Sequence, residues 1–359
     1  MKVETIFEFI KFTVSGQAGE FAAHQDLNWE ELYDFAKKQT IIGVLFAGIE
    51  KLPKAQQPEK KLLMKWYMQT ERIRSNNKER NADSVTVFNR FKKDGFQSTI
   101  LKGQGVALLY PDPLVRTCGD IDIWVDADRQ RIFDYVNGIC PGRKQRMIHV
   151  DFPILKGTEV EVHYTPSYMY APWNDRKLQS WFRQNAAEQF RHIVELPGDV
   201  GQVCVPTLSF NRIFILSHIY KHLFSEGVGL RQLMDYYYVL KCGFTVEENQ
   251  HDRAVLKHLD MLTFAGAVVY VLQVVFGLED EYCIVEPDRK AGEFFLSEII
   301  QSGNFGHYDE RYGMTANESV AHRYFRITRR NLHFVSSYPS EALSEPVRRT
   351  WLFFWRLFN

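Results

Sequence analysis

With 359 residues, of which 45% are apolar, the chain can build two or three packed units, and it is too apolar to be a disordered polymer. Lys+Arg and Asp+Glu number 44 each, so the net charge is zero and no global field would draw it to nucleic acid or an anionic membrane. The 5 cysteines, Cys118, Cys140, Cys204, Cys242 and Cys283, form no CxxC pair, which argues against a disulfide frame or zinc knuckle and fits a reducing cytoplasm.

The N-terminal MKVETIFEFIKF interrupts its apolar residues with Glu4 and Glu8, so it is not expected to act as a signal peptide. Residues 1–94 read as a helical region. Helices are expected over 29–38, over 41–52 before Pro53, and over 59–94, where Leu63, Trp66, Ile73, Val87 and Phe91 form an apolar stripe. The pattern changes at Gly95. A strand over 96–101 is followed by a short helix over 103–110 ended by Pro111-Asp112-Pro113, a strand over 120–125, and a helix over 128–137 that stops at Gly138. Strands over 147–155 and 158–164 are joined by Lys156-Gly157, and a hairpin between 190 and 205 is expected to extend the same sheet. This α/β unit spans 95–206 and a C-terminal helical domain 207–359, with helices over 208–224, 229–241, 246–260, 262–277, 289–301, 317–335 and 344–357. Met261 to Leu278 carries no charge and has the length of a bilayer span. Thr263, Gln273 and the acidic flanks at Asp260 and Glu279-Asp280-Glu281 favour a buried helix instead, so no membrane partner is expected. The closing Trp351-Leu-Phe-Phe-Trp-Arg-Leu-Phe reads as a helix packed on its own domain.

The chemistry gathers between Thr99 and Tyr164. In Gly119-Asp-Ile-Asp-Ile-Trp-Val125 the strand period puts Asp120 and Asp122 on one face and Ile121, Ile123 and Val125 on the other. Two carboxylates side by side repel unless a cation or proton lies between them, which points to a divalent metal. In Thr158-Glu-Val-Glu-Val-His-Tyr164 the same alternation aligns Glu159, Glu161 and His163, and Glu161 is the expected third ligand. The competing view is the solvated face of an edge strand. Oxygen ligands of this kind suit Mg²⁺ or Mn²⁺ and leave positions open for phosphates. Upstream, Lys102-Gly103-Gln104 sits where strand gives way to helix; glycine allows close backbone approach and Lys102 adds charge, a candidate phosphate cradle. It is neither a Walker A loop nor a dinucleotide fingerprint.

Taken together, a strand, Lys102-Gly103 at a helix start, Arg116 shortly before G-D-I-D-I-W-V and a strand carrying E-V-H resemble the DNA polymerase β-like nucleotidyltransferase superfamily, and within it the bacterial family of uncharacterised nucleotidyltransferases. The resemblance is most specific over 97–164 and extends more loosely to His218-Ile-Tyr-Lys-His222 and Gly229-Leu-Arg-Gln-Leu-Met-Asp235. It implies an α+β fold: a small mixed sheet with helices, flanked by N- and C-terminal helical regions. It also implies that Gly103 is the turn glycine, that Lys102 and Gln104 flank the triphosphate, and that Asp120, Asp122 and Glu161 hold two Mg²⁺ (or Mn²⁺) ions. The sequence departs from the superfamily in carrying Gln104 where glycine or serine is usual, and glutamate as third acid.

Other residues leave two readings open. Arg116 is either a phosphate contact or a carboxylate partner. His218 and His222, at i, i+4, lack the acid of a HExxH zinc motif; either they face the cleft with Lys221 as substrate-binding groups or they pack. Arg231 and Asp235 are either a helix-surface ion pair or, by the resemblance, substrate-binding. The expected activity is metal-dependent transfer of a nucleoside monophosphate from an NTP, ATP among them, to a hydroxyl of a small-molecule or protein acceptor. No long nucleic acid is expected as partner. The alternative is a catalytically weak nucleotide-binding scaffold.

Overall fold

The alternating acids and branched residues after Gly119 fold as a central strand of a small mixed sheet. In the computed structural model, which describes residues 1–16, 19–306, 309 and 319–358, its strands are β1 (Ser98–Leu101), β2 (Ile121–Val125), β3 (His149–Asp151) and β4 (Val160–His163), in the order β1-β2-β4-β3. β2 runs antiparallel to β1 and parallel to β4, and β3 is antiparallel to β4. Asp122 pairs with Glu161 and Trp124 with His163. Paired residues in neighbouring strands point to the same face, so backbone hydrogen bonding alone brings the second aspartate beside the glutamate.

The helices are α1 (Val3–Val14), α2 (Trp29–Lys38), α3 (Ile42–Glu50), α4 (Lys60–Lys93), α5 (Gly103–Ala107), α6 (Arg129–Ile139), α7 (Pro172–Gln189), α8 (Leu208–Ser225), α9 (Leu230–Lys241), α10 (Val246–His258), α11 (Leu262–Phe276), α12 (Arg289–Ser302), α13 (Val320–Leu332) and α14 (Pro339–Phe358). The mixture of helices with small sheets is the expected α+β class. One face of the main sheet, with Ile121, Ile123, Val125, Val160 and Val162, is buried against Val87, Phe88 and Phe91 of α4 and Ile132 and Val136 of α6. Each such side chain contributes roughly 1.5–3 kcal/mol by leaving water. The opposite face carries Asp122 and Trp124; the Trp124 ring stacks on Phe210 of α8 at 5.9 Å. The C-terminal helices thereby close over the acids.

A second apolar cluster joins the two ends of the chain: Phe9 and Ile10 of α1, Leu216 and Ile219 of α8, and Val268, Leu272 and Phe276 of α11 share it. α11, the uncharged stretch, is buried there, and among the described residues no helix is long and apolar enough to cross a membrane. α4 links the two clusters, since Trp66 lies in this one, donating to the Ile42 carbonyl at 2.9 Å, while Phe91 lies under the sheet.

Several expectations are corrected. The hairpin of β5 (Ile193–Leu196) and β6 (Gly201–Cys204) forms a separate two-stranded sheet instead of extending the first. Of its residues only Leu196, Val203 and Cys204 are buried, too little apolar face to enter the main sheet. α6 runs through Gly138 and ends at Ile139. α7 was not expected; Pro172 starts it, and Asn174, Leu178 and Phe182, four residues apart, form its buried stripe. α14 begins at Pro339 rather than 344 and docks through Glu341, Ala342 and Glu345. Leu343, Val347, Trp351, Phe353 and Phe354 point elsewhere and are exposed, while Trp355 is half-buried under the Arg129 guanidinium at 5.2 Å, so the expected packing of the closing helix on its own domain holds for one face only. The expected helix 317–335 is observed from Val320; residues 317 and 318 lie outside the described ones.

Candidate functional site

A cleft of about 360 Å³ opens where the polar face of β2 and β4 meets α8 and α9. Asp120, Asp122, Glu161, His149 and His163 line one side, and Lys102, Gly103, His218, Lys221, His222 and Arg231 are also in its lining. A broader hollow of about 530 Å³ beside Phe244, Val246, Asn249 and Glu281 brings no acid pair together.

The acidic side is set by strand register. One oxygen from each of Asp120, Asp122 and Glu161 falls within 4.8 Å of the others. Asp120, at the exposed rim, has its carboxyl pushed up to about 6, chiefly by the negative charge of Asp122 and then by partial burial. Asp122 is 5% exposed. Burial acts to raise its pKa, but the Lys102 ammonium, 2.9 Å from Oδ2, and His163 Nε2, 2.8 Å from Oδ1, hold it below the usual carboxylate range. For Glu161 too, burial acts upward and is outweighed by His163, whose Nε2 lies 3.3 Å away. His163 is raised: its burial is offset by hydrogen bonds to Asp122 and Glu161. Its Nε2 thereby stands between two acids, 2.8 Å from Asp122 and 3.3 Å from Glu161.

Lys102 reaches this group from a backbone position that lysine rarely adopts, φ 50° and ψ −126°. Such a conformation costs on the order of 1–3 kcal/mol and persists only where the surroundings over-determine it. Here the ammonium is held between Asp122 and His218 Nε2, the latter at 3.3 Å. Burial acts to lower the Lys102 pKa, and Asp122 and Asp120 more than reverse that. The next residue, Gly103, has φ 32° and open space where a Cβ would stand, so the backbone is free for a close ligand approach. Gln104 does not join the cradle. Its side chain turns away into α4, where it is buried against Asn81 and 3.5 Å from Asn77 Oδ1; the inward position of the first helical turn sends it there.

The basic side comes from α8. His218 and His222 Nε2 atoms are 3.0 Å apart, and His222 Nδ1 is 3.2 Å from Glu226. Burial, then the charge of Lys102, keeps His218 well below the ordinary imidazole range; burial and Lys221 push His222 down to about 4. Lys221 is lowered to about 8 by burial and by Lys102.

Arg116 and Asp235 sit deeper. The Arg116 guanidinium donates from Nε to Asp235 Oδ1 at 2.7 Å and from Nη2 to Oδ2 at 2.8 Å, and Tyr110 donates to Oδ1 at 2.7 Å. Of the two readings of Arg116, the structure has the carboxylate partner. Asp235 is likewise no helix-surface group: it is buried, and its bidentate partner is Arg116 in place of its helix neighbour Arg231, which donates to the Thr117 carbonyl at 3.3 Å. Burial acts to raise Asp235, and Arg116 holds it low.

The residues present fit a divalent cation. Three hard oxygen donors converge, and the repulsion that raises Asp120 is what a bound cation would relieve. Two residues escaped the sequence argument. His149 pairs with His163 across β3 and β4, and Glu226 sits one turn beyond His222; the only available signals were strand alternation in 147–155 and an i, i+4 spacing.

A mixed sheet that offers three acids to a cleft capped by basic helix residues defines a nucleotidyltransferase-like α+β protein. The chain belongs to the family of uncharacterised nucleotidyltransferases, whose model matches residues 25–277. No curated protein matches it. Among solved structures it is similar to the crystal structure of an antigenic nucleotidyltransferase-like protein from Paracoccidioides brasiliensis, with 13% identity over 59% of this chain and 97% of that one and a TM-score of 0.34.

Proposed function

We propose that the protein is a cytoplasmic, metal-dependent nucleotidyltransferase that moves a nucleoside monophosphate from an NTP to a hydroxyl of a small-molecule or protein acceptor. The observation that carries this is the facing of three convergent acids by Lys102, Lys221 and the His218–His222 pair across one cleft. Asp120, Asp122 and Glu161 would hold two Mg²⁺ or Mn²⁺ ions. When bound, such ions neutralise phosphate charge and acidify the acceptor hydroxyl.

The chain's own residues do the remaining work. Gly103 leaves room for a phosphate against the backbone, and Lys102 exchanges part of its contact with Asp122 for phosphate oxygens. Lys221, with His218 and His222, faces the pyrophosphate. The acceptor oxygen attacks the α-phosphorus, the bond to the β-phosphate oxygen breaks, and pyrophosphate leaves with that electron pair. The acceptor proton passes to Glu161, whose carboxylate lines the cleft beside Asp120 and Asp122. The buried Arg116–Asp235 pair positions the segment leading into Asp120, and Arg231 braces it through Thr117. The catalytic unit is 95–206, with 1–94 as its helical support and 207–359 supplying the basic wall.

The test is binding and turnover of labelled NTPs with Mg²⁺ or Mn²⁺ by wild type, Asp120→Asn and Asp122→Asn. Metal-dependent turnover lost in both variants is expected; a wild type that neither binds nor turns over any NTP overturns the assignment. A second reading, a nucleotide-binding scaffold with weak chemistry, is favoured by one observation: Lys102 and His163 already engage both oxygens of Asp122. It predicts metal-dependent binding without pyrophosphate release.

A further inference from the structure

The three acids are not the only convergent donors in the cleft. One ligand atom each from His149, Glu161 and His163 also lies within 4.8 Å of the others. We propose that these three residues form a second divalent-metal position of mixed nitrogen and oxygen donors, sharing Glu161 with the three-acid set and preferring Co²⁺, Mn²⁺ or Zn²⁺ over Mg²⁺. The proposal rests on the nucleotidyltransferase assignment only in that shared carboxylate.

Strand register builds the position. His149 and His163 are paired across antiparallel β3 and β4, so their rings stand on one face, 5.2 Å apart between centroids. Glu161 lies two residues before His163 on that face, with Oε2 3.2 Å from His149 Nδ1 and 3.3 Å from His163 Nε2. An ion with bonds near ~2.1 Å places its donors up to about 4.2 Å apart, so the set closes with side-chain shifts of a few tenths of an ångström.

Two observations aim the donors inward. His163 Nδ1 lies 3.3 Å from the Thr165 carbonyl. A proton on that nitrogen leaves the Nε2 lone pair, between Asp122 Oδ1 at 2.8 Å and Glu161, to a cation, the arrangement by which metal-binding histidines are oriented. His149 has both ring nitrogens buried and makes no hydrogen bond with either; carboxylate oxygens of Glu161 and, at 3.6 Å, Asp151 are its polar neighbours. An imidazole among carboxylates needs a cation or an added proton to hold it there. Imidazole suits the later first-row ions, whereas Mg²⁺ selects oxygen, so the two donor sets sort metals by ligand chemistry.

The experiment uses the full-length protein freed of metal. Co²⁺ is titrated by visible absorption, and pulsed electron paramagnetic resonance of the Mn²⁺-loaded protein reads directly bound ¹⁴N. Wild type is expected to show Co²⁺ d–d bands and ¹⁴N modulation, and His149→Ala to bind Co²⁺ about tenfold more weakly or worse with reduced modulation. Wild-type protein without ¹⁴N modulation, or His149→Ala with unchanged Co²⁺ affinity, overturns the proposal. The first of these is independent of whether the variant folds. Binding of Mg²⁺ and NTP is measured alongside, which separates the two readings. NTP binding without a nitrogen signal removes the histidine site and leaves the enzyme; a nitrogen signal without NTP binding does the reverse.

Discussion

The two walls of the cleft are opposite in charge and in construction. The acids sit in one sheet, where Asp122 and Glu161 are paired residues of adjacent strands and Asp120 precedes Asp122 on the same face. The bases come from separate elements: Lys102 from a strained turn after β1, and His218, Lys221 and His222 from α8. Backbone hydrogen bonds hold the acids together against their repulsion, whereas helix packing through Trp124 and Phe210 brings the bases up to them. Removing an acid therefore separates chemistry from stability, and removing a base tests the grip on phosphate.

The largest effects belong to the acids. Asp120→Asn and Asp122→Ala are each expected to lower NTP turnover by roughly a thousand-fold or more, from loss of charge stabilisation where metal and phosphate meet. Their stabilities should diverge. Asp122→Ala takes the carboxylate from the Lys102 ammonium and a hydrogen-bond partner from buried His163, and breaking such a buried pair costs about 3–5 kcal/mol. Asp120→Asn removes a repulsion and should raise the melting temperature. The pH dependence has a definite sign. Asp120 titrates near about 6 in the fold and near its ordinary ~3.9 when unfolded, so its ionised form opposes folding at and above pH ~6. The gap between variant and wild type should be full above that pH and close as pH falls toward ~4. A gap that is constant with pH would mean Asp120 and Asp122 do not interact.

Next comes the pair behind the basic wall. Asp235→Ala leaves Arg116 buried among Tyr110 and Arg231 without its carboxylate, and chemical denaturation should show a loss of about 3–5 kcal/mol. An exposed i, i+4 pair would lose only a few tenths. Lys221 gives a smaller, pH-dependent effect. With its pKa pushed down to about 8, the free enzyme loses a phosphate-facing charge as pH rises through that value, so kcat/KM for NTP should fall there. Lys221→Arg keeps its charge and should abolish that limb, while Lys221→Ala should reduce kcat/KM at pH 7 by roughly 10–100-fold. A limb that survives in the arginine variant assigns it to another group.

The same contrast governs what can be read from the sequence. Asp120, Asp122, Glu161 and His163 share a face because strand alternation converts a spacing of two into proximity, a local rule visible in the letters. Even the side of burial follows, since Ile121, Ile123 and Val125 take the other face against α4 and α6. The basic wall obeys no local rule: Lys102 and His218 meet across 116 positions, and Arg116 and Asp235 across 119. For Asp235 the local spacing to Arg231 pointed to the wrong partner, because a buried carboxylate gains more from a bidentate guanidinium fixed by tertiary packing. Gln104 shows the same limit, since Asn77 and Asn81 of α4 decide its direction. α7 lacks a strong apolar stripe, with Asn174 and Gln189 among its buried residues, and so offers little periodic signal.

The smallest expected effect tests the turn that joins the walls. Lys102→Ala and Lys102→Gly both remove the ammonium from Asp122 and His218, so they should impair NTP turnover alike. They differ in backbone strain. At φ 50° and ψ −126° alanine keeps the steric penalty of a side chain, about 1–3 kcal/mol, and glycine does not. Glycine in turn adds chain freedom to the unfolded state, worth about 0.5–1 kcal/mol against folding. The balance leaves Lys102→Gly more stable than Lys102→Ala by about 1 kcal/mol, readable as a higher urea midpoint at equal slope. A lower midpoint for glycine would mean that the turn relaxes once the ammonium is gone, leaving only the cost of chain freedom, and then it is the contact with Asp122 that forces the backbone into this conformation. A higher midpoint for glycine would mean that the fold imposes the conformation by itself, delivering a cation to the acidic wall at a standing cost in stability.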